Sequence, residues 1–328
     1  MASSQWVNLA SRKYVSWEAA GVERIPPGEE EDMRAVIAQI SEMQRRQYNK
    51  ARHCYGGTHA RTQGIVKGKL VVPGDLPKHL KQSELFREAG EYPVACRYSS
   101  EPGDPGLDAG VSKRFAMKIF NVKGEMFDAG RDYSTQDIEF NSTPAIELAD
   151  AKTTREVLGI RLMYDHDKAE MYKRLKERPD YELQVSRDKA PNTHLESMRW
   201  YSQTAYRFGD YIMKYRLVPS TETQTKLAEK TVKPEDAEDI LHRWLQNFHY
   251  NYDAEFLFQV QLVENLSEQP VEYAGVAWDE KKYPWQPVAE LIIPKQESFS
   301  YARKSFWEDH MRLDPVGTTQ YPRLCRQK

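Results

Sequence analysis

Alternation of apolar and polar positions is the first regular feature of the chain. GIVKGKLVV (64–72) alternates and stops at Pro73-Gly74, as a strand ending in a turn does. RFAMKIFNV places Phe115, Met117 and Ile119 on one face and turns Lys118 away. EFLFQVQLV alternates strictly, with Phe256, Phe258, Val260 and Leu262 on one side. VACRYSS, QDIEFNST, YIMKYRLVP and WQPVAELIIP add further strands. Helical spacing is confined to three places. Met33, Val36, Ile37, Ile40 and Met43 recur every three or four residues behind an acidic lead that suits a helix N-terminus. Residues 145–180 are helical in composition. PEDAEDILHRWLQNF reads as a helix with Pro234 in its first turn and Ile240, Leu241, Trp244, Leu245 and Phe248 on its apolar face.

Strands dominate the first half and return near the end, with helices inserted irregularly between them. That order argues against a doubly wound parallel sheet and for an α+β chain with an antiparallel barrel or sheet. IPPGEEED marks residues 1–30 as a surface arm. Residues 31–328 then form one barrel domain with a C-terminal tail. No internal repeat interrupts this reading.

Composition narrows the function classes. Lys and Arg number 47 against 49 Asp and Glu, a net charge of −2 that draws the chain neither to nucleic acid nor to an anionic membrane. Three cysteines without a CxxC pair fit a reducing compartment. The N-terminus lacks an apolar signal stretch, no run reaches membrane-span length, and LCRQK is not a Ser-Lys-Leu signal, so the cytoplasm is expected. Aromatic residues make up 11% of the chain, a content that suits an apolar pocket and a β-rich core equally.

Candidate chemistry gathers around Thr58-His59-Ala60-Arg61-Thr62-Gln63-Gly64. This segment resembles the distal-histidine motif of the heme catalases, His-Ala-(Lys/Arg)-x-x-Gly, at the start of their first barrel strand. The resemblance continues in order. CRYSS is similar to the family's Arg-Phe-Ser strand, RFAMKIFNVKGE to its Gly-x-Ala-x-Lys strand, and TQDIEFNSTP to the segment bearing the distal asparagine. RWYSQTAYRFGDYIMKYRLVP, FLFQVQL and residues 276–294 resemble the short catalase-related proteins. Together these segments cover roughly residues 30–315.

The resemblance implies a closed antiparallel β-barrel with surrounding helices and a heme b cofactor. His59 would move a proton between the oxygens of a bound peroxide. Asn141 would donate a hydrogen bond to it. Arg97 would anchor a propionate, with Arg61 and Ser99 beside it. Thr58, in place of the usual valine, resembles the allene-oxide-synthase branch. The implied substrate is an apolar small molecule or hydroperoxide, and homo-oligomers through N-terminal arms are usual in this family. His53, His166, His242, His249 and His310 have no ligand spacing among themselves and read as surface or core residues.

Three departures touch the heme. Gly56 stands where the family has an arginine three residues before the distal histidine. Ile146 and Glu147 replace the phenylalanine pair after the asparagine, and a glutamate there is costly against a porphyrin unless it points elsewhere. No Arg-x-x-x-Tyr occurs in the thirteen residues after 315. Cys325 and Tyr321 remain as axial candidates, beside the reading that the chain supplies none. A thiolate would favour oxygen transfer, and Tyr321 sits poorly before Pro322. A heme enzyme on an organic peroxide or metabolite, a heme-free pocket using His59 with Glu147, and an inactive homologue acting through an oligomer interface all follow from these residues.

Overall fold

A computed structural model describes residues 11–52, 59–101, 113–124, 134–311 and 313. Nine strands form one antiparallel sheet: β1 (Arg61–Val72), β2 (Gly90–Ser100), β3 (Lys113–Phe120), β4 (Thr135–Asn141), β5 (Trp200–Tyr201), β6 (Tyr206–Phe208), β7 (Tyr211–Pro219), β8 (Ala254–Leu262) and β9 (Gln286–Ile293). The order is β5-β4-β3-β2-β1-β9-β8-β7-β6. The short β5 pairs both with β4, at Asn141↔Tyr201, and with β7, at Trp200↔Leu217. That double pairing closes eight strands into a barrel, and β6 adds a hairpin to β7. The helices are α1 (Glu29–Ala51), α2 (Ser83–Phe86), α3 (Ala151–Met163), α4 (Lys168–Lys176), α5 (Tyr181–Gln184), α6 (Glu222–Lys226), α7 (Ile240–Asn251) and α8 (Tyr301–His310). Among the described residues no helix is long and apolar enough to cross a membrane.

Register decides which side chains face inward. Tyr98, Phe115 and Phe140 are aligned across β2, β3 and β4, as are Cys96, Met117 and Ile138, and all six are buried. Trp200, Phe256 and Phe258 join them, with Tyr98 and Phe115 ring centroids 4.8 Å apart. At ~1.5–3 kcal/mol for each large apolar side chain removed from water, this cluster is the main source of stability. It also fills the barrel, so the interior is a packed core and chemistry must lie outside it. Gly68 permits one tight crossing, because a Cβ there would collide with the Ile292 carbonyl of β9.

The pattern of β8 holds as expected: Phe256, Phe258, Val260 and Leu262 are all buried. α7 departs from the sequence reading. It begins at Ile240, not near Pro234. The Asp236 carboxylate instead accepts from the Lys233 N–H at 2.8 Å, and Ala237 O accepts from Ile240 N, so local turns consume the groups that a first helical turn needs. On α1, Val36 is buried while Ile37 and Ile40 face solvent. Residues 11–28 lie back on the barrel, with Val15 N donating to Val263 O and the Arg207 guanidinium 3.7 Å over the Trp17 ring.

Candidate active site

The outer face of β1–β4 carries what the core excludes. Antiparallel pairing puts cross-strand partners on the same side of the sheet. Thr62↔Ser99, Ser99↔Arg114, Arg114↔Asn141 and Asn141↔Tyr201 therefore form one continuous row across five strands. Arg97↔Ala116 and Ala116↔Glu139 form the next row. Four residues singled out by sequence, His59, Arg97, Ser99 and Asn141, thus come to one end of one face.

His59 precedes β1 with φ 50°, a left-handed conformation that a non-glycine residue adopts at a cost of ~1–3 kcal/mol. It is buried, and its Nε2 lies 3.6 Å from Glu101 Oε1. Arg97 holds this conformation in place. Its Nη2 donates to the carbonyls of His59 and Ala60, at 3.1 and 3.4 Å, and its Nε donates to Thr62 Oγ1 at 2.9 Å. Thr62 in turn donates to Glu308 Oε1 of α8 at 2.7 Å, and that carboxylate stands 4.0 Å from Arg97 Nη2. Burial lowers the Arg97 guanidinium to about 10, with Glu308 opposing the shift.

Arg114 is the centre of the row. Its Nη2 pairs with Glu139, and burial lowers its pKa while the Glu101 carboxylate opposes that shift. Its Nε is buried without a hydrogen-bond partner among the described residues, and so is the hydroxyl of its cross-strand neighbour Ser99. These two buried polar atoms lie in the same cross-strand row as Asn141. Beyond β4, Gln203 at φ 61° donates to Thr143 Oγ1 at 2.7 Å and Ala145 O at 3.0 Å, fixing the turn that follows Asn141.

No protein-family profile and no curated protein matches the chain. Solved structures do. A fungal catalase superposes with TM-score 0.60 at 14% identity, covering 98% of this chain and 62% of that one. The fold is catalase-like. A bacterial catalase agrees, with TM-score 0.57 at 15% identity over 94% of this chain and 59% of its own. The chain therefore spans about three fifths of the length of these catalases.

Among the described residues, this face is charged where a heme would need open space. In the strand that resembles Gly-x-Ala-x-Lys, Arg114 occupies the glycine position, so a long charged side chain paired with Glu139 rises where the pattern leaves open space. Arg97, the expected propionate anchor, already serves two carbonyls and a hydroxyl, and a propionate there would meet the Glu308 carboxylate. Among the described residues no group of three or more His, Cys, Asp or Glu is placed to hold a metal ion.

The remaining sequence candidates divide. Arg61 donates to Glu238 O at 2.8 Å, and Nε2 of Gln63 bonds Ser100 at 3.0 Å. Glu147 is turned away from the face, 3.3 Å from Arg161 of α3, so it is not the carboxylate that accompanies His59. Glu101 is. Thr58, Gly56, Cys325 and Tyr321 lie outside the described residues. Sequence reasoning passed over Glu101, Arg114, Glu139 and Glu308. Arg114 alone had a signal, a charged residue at a position the resembling motif gives to glycine.

Proposed function

We propose that the outer face of β1–β4 is a heme-independent acid–base site for a small carboxylate-bearing metabolite, acting as a lyase or isomerase. The observation that carries this reading is the pair of orphaned donors, Ser99 Oγ and Arg114 Nε, next to the His59–Glu101 pair. A substrate carboxylate satisfies both donors, and charge-assisted bonds to a guanidinium give orientation as well as affinity. His59 then takes the proton from the carbon beside the carboxylate. Glu101 meets the imidazolium charge that forms. The charge that develops on the substrate oxygens is received by Arg114 and Ser99, with Asn141 next in the row. In a β,γ-unsaturated carboxylate, return of the proton to the γ-carbon gives isomerisation; where the β-carbon carries a leaving group, its departure with the bonding pair, protonated by His59, gives elimination.

The test is a panel of small carboxylates, including lactate and succinate, read by thermal shift and by proton NMR of carbon-bound hydrogen exchange in D2O. At least one carboxylate is expected to raise the melting temperature and to exchange. Arg114→Met removes the thermal shift. His59→Gln keeps binding but slows exchange ~100-fold or more, the usual contribution of a positioned base. A panel in which nothing stabilises the protein, or exchange that survives in His59→Gln, would refute the assignment.

A further inference from the structure

A second polar–aromatic site lies at one mouth of the barrel, away from the His59 face. Here α6 and α7 enclose a cavity of about 350 Å³, a size that suits one small ligand. Its floor is apolar. His194 is buried and stacks on Trp244 with ring centroids 5.9 Å apart and planes 3° from parallel, and Phe248 lies edge-on to the same imidazole at 5.8 Å. Burial lowers His194 to about 4, so this ring is neutral near pH 7 and behaves as part of the aromatic wall. Its Nδ1 is committed inward, accepting the Glu196 N–H at 3.1 Å.

Two lysines stand on the rim, and the Asp236 carboxylate acts on one of them, Lys230. Lys226 and Lys230 are both exposed and line the opening. They are not equivalent. Lys226 is tied to Glu222 at 2.7 Å, whereas the Lys230 ammonium stands 4.2 Å over the Trp244 ring. An ammonium resting on the face of an indole is held at the edge of an apolar slot, where it can meet an anion without leaving the aromatic wall.

We infer that this cavity binds a planar aromatic anion, its ring lying against the apolar wall of Trp244, Phe248 and Tyr252 and its carboxylate paired with Lys230. Aromatic rings gain ~0.5–1.5 kcal/mol from offset stacking beyond their buried area. The ammonium selects charge. At about 350 Å³ the cavity suits a single small ligand, and the lysines on its rim disfavour cationic ones. The site shares no residue with the Ser99–Arg114 row, so it stands or falls separately from the acid–base reading.

Calorimetric titration of the full chain with 2-naphthoate and with its neutral isostere 2-naphthamide tests this. The naphthoate is expected to bind with a Kd below ~1 mM and roughly threefold to fivefold more tightly than the amide, since an exposed ion pair to a single ammonium contributes up to about 1 kcal/mol, a factor of about five. Lys230→Gln is expected to erase the preference for the acid while leaving amide binding unchanged. Trp244→Leu weakens both ligands at least fivefold. Equal binding of acid and amide, unchanged affinity in Lys230→Gln, or no heat at 1 mM naphthoate would overturn the assignment. Lys230 is exposed, so its variant keeps the test valid should Trp244→Leu fail to fold.

Discussion

Replacing His249 by leucine is expected to cost the fold ~3–5 kcal/mol, the usual penalty for breaking a fully buried charged pair. His249 Nε2 lies 2.9 Å from Glu196 Oε1, and both side chains are wholly excluded from solvent. Gln224 Nε2 donates to the other carboxylate oxygen at 3.1 Å. Burial alone would push Glu196 up, but the His249 charge and hydrogen bond, with Tyr98 and His194 beside it, hold its carboxyl below the usual range. Without His249 that balance reverses. Glu196 then takes up a proton more readily in the folded chain than in the unfolded one, so the variant regains stability as pH falls and loses it as pH rises. Urea unfolding at pH 5 and pH 8 reads both effects. The deficit is expected to be larger at pH 8, and adding Glu196→Gln should recover more than half of it. A deficit below ~1 kcal/mol at both pH values would show that the pair is not ionic.

Lys214→Met is expected to stabilise the protein near pH 6 by ~2–3 kcal/mol. Lys214 of β7 is almost wholly buried beneath residues 263–285, its Nζ donating to Val276 O at 3.0 Å and lying 4.9 Å from the Trp278 ring. Burial lowers its ammonium from 10.5 to about 7. Between pH 7 and 10.5 the unfolded chain holds a proton that the folded chain has released, so stability rises with pH across that window. The full cost, ~5 kcal/mol, applies below pH 7. Methionine removes it but leaves the Val276 carbonyl without its donor, at ~1–3 kcal/mol. The gain over wild type should therefore shrink above pH 7 and turn into a loss near pH 9. Melting temperatures of the two proteins at pH 6, 8 and 10 give the answer, and a gain that does not vary with pH would contradict it.

The barrel was legible because its strands alternate. A period of two in β3 and β8 fixes which side chains enter the core, and register does the rest. The catalase-like order of segments placed His59, Arg97, Ser99 and Asn141 on one face, since motif spacing along a strand preserves side-chain parity. What escaped were partners set by long-range pairing. Glu101 meets His59 only through the β1–β2 register, and Glu308 reaches Thr62 only because α8 docks across β1 through Trp307 on Ile65 and Ala95. Glu147 was read as a candidate base from its place after Asn141, and an arginine fourteen residues on claims it instead. His194 carries no local signal. Its role at the second cavity depends on Trp244, which the chain brings beside it from α7.

On the function proposed above, the outer face of this catalase-like barrel is a charged acid–base site that takes no heme. The visible absorption spectrum of the folded protein, purified from heme-supplemented cells and desalted, tests it most directly. The Arg114–Glu139 pair, at the position the resembling motif gives to glycine, predicts no Soret band above background. A stoichiometric Soret band that survives desalting would contradict the account and return His59, Asn141 and Arg97 to heme chemistry.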